Sequence, residues 1–157
     1  MKITTLLENL VYKNGLLAEH GLSLYIETDT RKILFDTGQS GAFLQNAQKM
    51  GVKIEEIDSV IISHGHYDHT GGLASFLMVN SKARVYMKSE ALTETYDISK
   101  RYIGIECNPE LLENRVEFIT RITEIDKGLF IVPDITVLDS DDSHFCHFNE
   151  EFLDELY

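Results

Sequence analysis

The run Ser63-His64-Gly65-His66-Tyr67-Asp68-His69-Thr70-Gly71-Gly72 holds three of the chain's six histidines and an aspartate within six residues. Imidazole nitrogen suits zinc and iron, and carboxylate oxygen suits most divalent ions, so each of these side chains is a metal-ligand type. On extended backbone His64 and His66 point the same way, because side chains alternate with period two, and the pair can grip one ion. Asp68 and His69 are adjacent beyond the turn and can face a second ion beside the first. Gly65 lets the backbone pass close to a metal. The plainer alternative is a polar loop that happens to be rich in histidine.

Such a cluster needs elements to position it. Upstream, Asp58-Ser-Val-Ile-Ile62 is short, apolar and β-branched and reads as a buried strand. Downstream, Leu73, Phe76 and Leu77 share one face of a helix that ends near Asn80. The cluster therefore falls where a strand gives way to a helix, the place where α/β proteins bind ligands. Earlier in the chain, residues 2–7, 22–28 and 32–35 read as strands, the last two as a hairpin turning at Asp29-Thr30-Arg31. His20, beside Gly21 at a turn signal, reads as a structural residue. A helix is expected over 40–50, with Phe43, Leu44, Ala47 and Met50 on one face and Gly51 as its stop. Strand, helix, strand in that order implies a parallel crossover and an α/β layer. After the cluster, 83–88 reads as a strand and Ser89 as the cap of a short helix through Tyr96. Residues 97–115 are irregular, with Asn108-Pro109 as a helix start, and strands are expected over 116–120, 122–125 and 129–132. Lys100, Arg101, Tyr102 and Arg115 read first as solvated surface and second as groups to meet an anionic substrate.

Two motifs carry a resemblance. His64-x-His66-x-Asp68-His69, with Leu34-Phe35-Asp36-Thr37-Gly38 upstream of it, resembles the signatures of the metallo-β-lactamase superfamily. The wording around the cluster, together with Glu19-His20-Gly21-Leu22-Ser23, is similar to the subfamily of dihydropterin-ribofuranosyl-aminobenzene-phosphate synthases. The resemblance implies an α/β fold of αββα sandwich type, here as its N-terminal half or a shortened version, over a single domain of residues 1–157. It also implies a hydrolase that turns a metal-activated hydroxide on an ester, phosphoester or related small molecule. His64, His66, Asp68 and His69 are then the ligands of two divalent ions, zinc first with manganese or iron open, and Asp68 doubles as the catalytic group. Asp36, by the same resemblance, stands behind the ligands, where a carboxylate at a strand end can fix a histidine's orientation or cap nearby backbone N–H groups; no metal contact is assigned to it. Asp-Thr-Gly also occurs in aspartic proteases, but that reading leaves the histidine cluster unexplained.

Composition narrows the partners. The net charge of −12 repels phosphate backbones, so a small-molecule substrate is expected and nucleic acid is not. The chain has no secretory leader pattern at Met1 to Glu8 and no apolar run of membrane-spanning length, so it is expected to be cytoplasmic and off the membrane. Cys107 and Cys146 are too few for a disulfide framework. In the acidic tail, Asp139, His144 and His147 read as solvated and as the reserve of further ligands. The apolar end, 152–157, reads as a strand cut off as it starts. A half sandwich exposes a sheet face, and self-association through it is expected. The alternative function is an incomplete metal-binding fragment that needs a partner.

Overall fold

The computed structural model describes residues 1–134. Six strands form one sheet in the order of the chain: β1 (Lys2–Leu7), β2 (Ser23–Glu27), β3 (Lys32–Phe35), β4 (Ser59–Ile61), β5 (Arg84–Met87) and β6 (Val116–Phe118). The first three run antiparallel, and β3 to β6 are parallel. β7 (Thr123–Asp126) and β8 (Leu129–Ile131) make a separate hairpin. The helices α1 (Ala42–Met50), α2 (Tyr67–Thr70), α3 (Leu73–Val79) and α4 (Pro109–Leu112) fill the connections. This is the α/β architecture expected from the alternation of β-branched runs with helix-spaced apolar stripes.

The core lies on one face of the sheet. Register sets Tyr25, Leu34, Val60 and Val85 side by side, and all four are buried. Against them pack Phe43 and Ala47 of α1 and Leu73, Phe76 and Leu77 of α3. Burying each large side chain contributes about 1.5–3 kcal/mol, so these two stripes clamp the ends of β3 and β4. The opposite face is more open: Ile3 is 55% exposed, and Ile26, Phe35, Ile61 and Tyr86 are only partly covered.

Two buried asparagines tie loops to this core. Asn46 accepts from the Leu17 N–H and donates to the carbonyls of Leu6 and Leu17. Asn80 donates to the carbonyls of Ile54 and Ile57. Gly51 ends α1 in the left-handed conformation, at φ 75°, as its place after Met50 predicts. Asn108 accepts from the Glu110 N–H with Pro109 at the first helical position.

The structure corrects one expectation of secondary structure. Ser89 caps no helix to Tyr96; Ser89–Leu92 is a single 3₁₀ turn, and the cap position falls on Lys88. Ile54–Glu56, which leads into β4, is also a 3₁₀ turn. Asp139, His144, Cys146, His147 and segment 152–157 lie outside the described residues.

Candidate metal centre

β3 and β4 end side by side, and the two motifs start there. Beyond β3 the chain turns sharply at Asp36, whose φ is 56°, and at Gly38, whose φ is 70°. This turn grips the short helix that carries Asp68 and His69. Thr37 gives both its backbone N–H (2.7 Å) and its hydroxyl (2.9 Å) to the His69 carbonyl. The helix itself starts at His66, whose carbonyl accepts from the N–H groups of His69 and Thr70 and from the Thr70 hydroxyl. Gly72 is needed where α2 meets this turn, because a Cβ there would lie 2.2 Å from the Thr37 carbonyl oxygen.

One donor atom each from His64, Asp68 and His69 lies within 4.8 Å of the others. The His66 ring meets His64 edge to face, with centroids 4.7 Å apart, while His64 and His69 approach to 4.2 Å. The tightest group is thus His64 with Asp68 and His69, where the spacing had paired His64 with His66. β4 stops at Ile61, so the backbone at His64 and His66 is not strand.

Behind the cluster Asp36 is fully buried and accepts three hydrogen bonds. Oδ1 takes the Ser63 N–H at 2.8 Å; Oδ2 takes the Ser63 hydroxyl and His69 Nδ1, each at 2.7 Å. Counting protons fixes the rings. A carboxylate only accepts, so His69 holds a proton on Nδ1, and in its neutral form Nε2 is the bare nitrogen. The Ser63 hydroxyl has one proton and gives it to Asp36, so its contact with His64 Nδ1 at 2.9 Å must be donated by the ring. His64 Nε2 is bare as well. One buried carboxylate therefore sets both histidines in the tautomer that offers Nε2 to a cation, an arrangement common behind metal-ligating histidines.

The charges agree with a cation site. Burial, and then the neighbouring His69 and His66, push His64 down to about 4. Burial also lowers His66. In His69, burial alone would act the same way, but the hydrogen bond and charge of Asp36, with Asp68, outweigh it and raise the pKa. His64 is held neutral, while His69, whose protonated form Asp36 and Asp68 favour, offers Nε2 once that proton leaves; with the Asp68 carboxylate they form a donor set suited to a divalent ion.

Sequence reasoning places His20 at a turn and gives no direct sign of its contact with Asp68. Its Nε2 lies 3.4 Å from Asp68 Oδ2 although the two are far apart in the chain. The only signal was its place in the Glu19-to-Ser23 motif, every residue of which proves to touch this region. Glu19 accepts from the N–H and hydroxyl of Ser40. Gly21 abuts the Asp68 carbonyl, the Leu22 carbonyl takes the Gly38 N–H, and the Ser23 hydroxyl donates to the Asp36 carbonyl.

Of the cationic candidates, Arg115 is spent on structure, donating to the carbonyls of Ala83 and Asn80. Arg101 pairs with Asp97 and lies over the Tyr67 ring, 5.6 Å from its centroid. Beside it Gln39, Tyr67, Gly71, Arg101, Tyr102 and Glu106 line a cleft of about 200 Å³ on the flank of α2.

Comparison with known proteins agrees with this geometry. The family model described as the metallo-β-lactamase superfamily matches residues 17–145. An uncharacterised protein of Methanocaldococcus jannaschii is 35% identical over 135 residues, which cover 82% of this chain and 51% of that protein. The 7,8-dihydropterin-6-methyl-4-(β-D-ribofuranosyl)-aminobenzene-5′-phosphate synthase of the same organism is 39% identical over 79 residues, covering 46% of this chain and 27% of the synthase. The crystal structure of Tm1679, described as a metal-dependent hydrolase of the β-lactamase superfamily, superposes with a TM-score of 0.65 at 39% identity, over 82% of this chain and 46% of that one. This chain spans about half the length of the first and third of these proteins and about a quarter of the synthase. The chain belongs to the metallo-β-lactamase superfamily.

Proposed function

We propose that this protein is a metal-dependent hydrolase acting on an ester or phosphoester bond of a small, anionic molecule. The observation that carries the reading is the convergence of Asp68 with two histidines whose bare Nε2 atoms are fixed from behind by Asp36. His64, Asp68 and His69, with His66 beside them, are the groups to hold two divalent ions, zinc first and manganese or iron as alternatives. Such ions act as Lewis acids and bring the pKa of water toward neutrality.

The chain's own residues do the rest. Asp36 and Ser63 hold the imidazoles in one tautomer, so no reorganisation is needed when substrate arrives. Asp68 is the one carboxylate of the three-donor set and is placed to orient a nucleophile and accept its proton. Arg101 and Gln39, in the cleft beside α2, are the groups to meet an anionic substituent. The relation to the ribofuranosyl-aminobenzene-phosphate synthase supports a phosphorylated substrate. The net charge of −12 supports a small molecule over nucleic acid, and no helix among the described residues is long and apolar enough to cross a membrane. A cytoplasmic location belongs to the same reading.

A second reading, a metal-binding domain without turnover, is favoured by one fact: the described residues contain a single compact set of three donors. Hydrolysis of p-nitrophenyl phosphodiester and ester substrates by metal-free protein reloaded with zinc, manganese or iron separates the two, with single-stranded DNA as a further substrate. Metal-dependent turnover that His69→Ala abolishes supports the hydrolase. Tight metal binding with no turnover on any substrate supports the second reading. The partly open sheet face supports self-association, which light scattering measures on the same samples.

A further inference from the structure

His20 stands outside the histidine cluster, yet its ring is organised as a ligand's ring is. Asn9 Oδ1 accepts the Gly21 N–H at 3.1 Å, which identifies that atom as the oxygen of the amide. The same oxygen lies 3.2 Å from His20 Nδ1. An amide oxygen cannot donate, so the proton of the neutral ring sits on Nδ1 and Nε2 is bare. That bare nitrogen faces Asp68 Oδ2 at 3.4 Å. With the ring neutral, two acceptors face each other, an arrangement that a cation between them completes.

His69 offers the comparison at the same oxygen. Its Nδ1 is anchored on a buried acceptor, Asp36, and its bare Nε2 also lies 3.4 Å from Asp68 Oδ2. Ligand atoms about 2.1 Å from a tetrahedral ion are about 3.4 Å from one another. Both histidines thus stand at coordination spacing from one carboxylate oxygen, and both have the proton held at the far nitrogen. His20 is not within the compact set of His64, Asp68 and His69, so it meets Asp68 from outside that set. The backbone keeps it there. Gly21 has φ 124°, and a Cβ on it would lie 2.0 Å from the Asp68 carbonyl oxygen.

We propose that His20 is a metal-site residue whose Nε2 is a donor to a divalent ion held on Asp68 Oδ2, beside the position served by His64 and His69. The inference rests on the metal-dependent reading above. It supplies a protein ligand that the His64-to-His69 motif lacks, from a segment that precedes it by three strands.

The test uses the full 157-residue chain, with cobalt(II) and zinc(II) as probes. His20→Ala and His20→Gln should each weaken binding at one ion position tenfold or more by calorimetry, and should alter the visible cobalt(II) spectrum. Asn9→Ala, which frees the ring, should lie between them and the parent. The His20 side chain is 66% exposed, so the metal-free variants should keep the parent's circular dichroism and melting midpoint. A purely structural role for His20 would do the reverse, moving the midpoint and leaving the cobalt spectrum alone. Unchanged spectrum and affinity in His20→Ala, with metal still bound, overturn this inference and leave the hydrolase reading standing. A parent chain that binds neither ion overturns both.

Discussion

Replacing Asp36 by Asn tests the tautomer argument with one atom. Asparagine tolerates the left-handed backbone at this position, where φ is 56°, so the turn should survive. If Oδ1 keeps the Ser63 N–H, the new NH₂ group takes the place of Oδ2 and faces His69 Nδ1 and the Ser63 hydroxyl, both at 2.7 Å in the parent. His69 must then turn its lone pair toward the amide, moving its proton to Nε2. Ser63 now receives a hydrogen bond from the amide, so its own proton is free to go to His64 Nδ1, 2.9 Å away. That histidine too is driven to the Nε2–H form. A metal can bind only if both rings revert, which leaves two buried polar contacts unmade at about 1–3 kcal/mol each. The expected loss is about 2–6 kcal/mol, or roughly 30-fold to 10⁴-fold in zinc affinity. Chelator competition measures the affinity, and ¹⁵N shifts of the histidine rings in the metal-free protein report the tautomers. Ser63→Ala is the control: it should release His64 and leave His69 in its parent form. A zinc affinity within threefold of the parent, with His69 still protonated on Nδ1, would refute the proton count.

Two further predictions follow from the same geometry. Gly21→Ala should destabilise the fold by about 3 kcal/mol or more in urea titrations, since it combines an unfavourable φ of 124° with a Cβ 2.0 Å from backbone oxygen; an unchanged midpoint would mean the loop is free to move away from Asp68. Zinc binding should strengthen as pH rises through the raised pKa of His69, because below it Nε2 is protonated and the ion must displace that proton. His64, held down at about 4, should contribute no such dependence near neutrality. Calorimetry in buffers of different ionisation enthalpy counts the released proton, and a flat profile between pH 6 and 8 speaks against the His69 assignment.

The features legible in the sequence are those whose physics is local. The stripe of Phe43 and Ala47 and the stop at Gly51 give α1, and β-branched runs give β3 and β4, because each depends on neighbours within a few residues. The histidine cluster is legible for the same reason. Its backbone is not: period-two alternation needs a strand through His66, whereas β4 ends at Ile61 and the closest three donors are those of His64, Asp68 and His69. The contact of His20 with Asp68 is not legible, because nothing local shows that β1, β2 and the Asp36 turn fold the two together. The same holds for Ser63, whose role exists only through the hydrogen bonds it shares with Asp36 and His64.

The backbone at Asp36 shows how the site is kept. A left-handed φ on a residue other than glycine costs on the order of 1–3 kcal/mol and persists only where its surroundings enforce it. Here they do so from four directions. The Asp36 N–H goes to the Ile61 carbonyl, its carbonyl takes the Ser23 hydroxyl, and its carboxylate binds Ser63 and His69. These partners come from β4, β2, the Ser63 loop and α2, so the turn can relax only if those elements part. The strain is thus held by the assembly of the sheet, and the sheet in turn fixes the protons of His64 and His69. A site built this way should lose its metal affinity in step with the unfolding of β2 to β4, and should not fray separately from them.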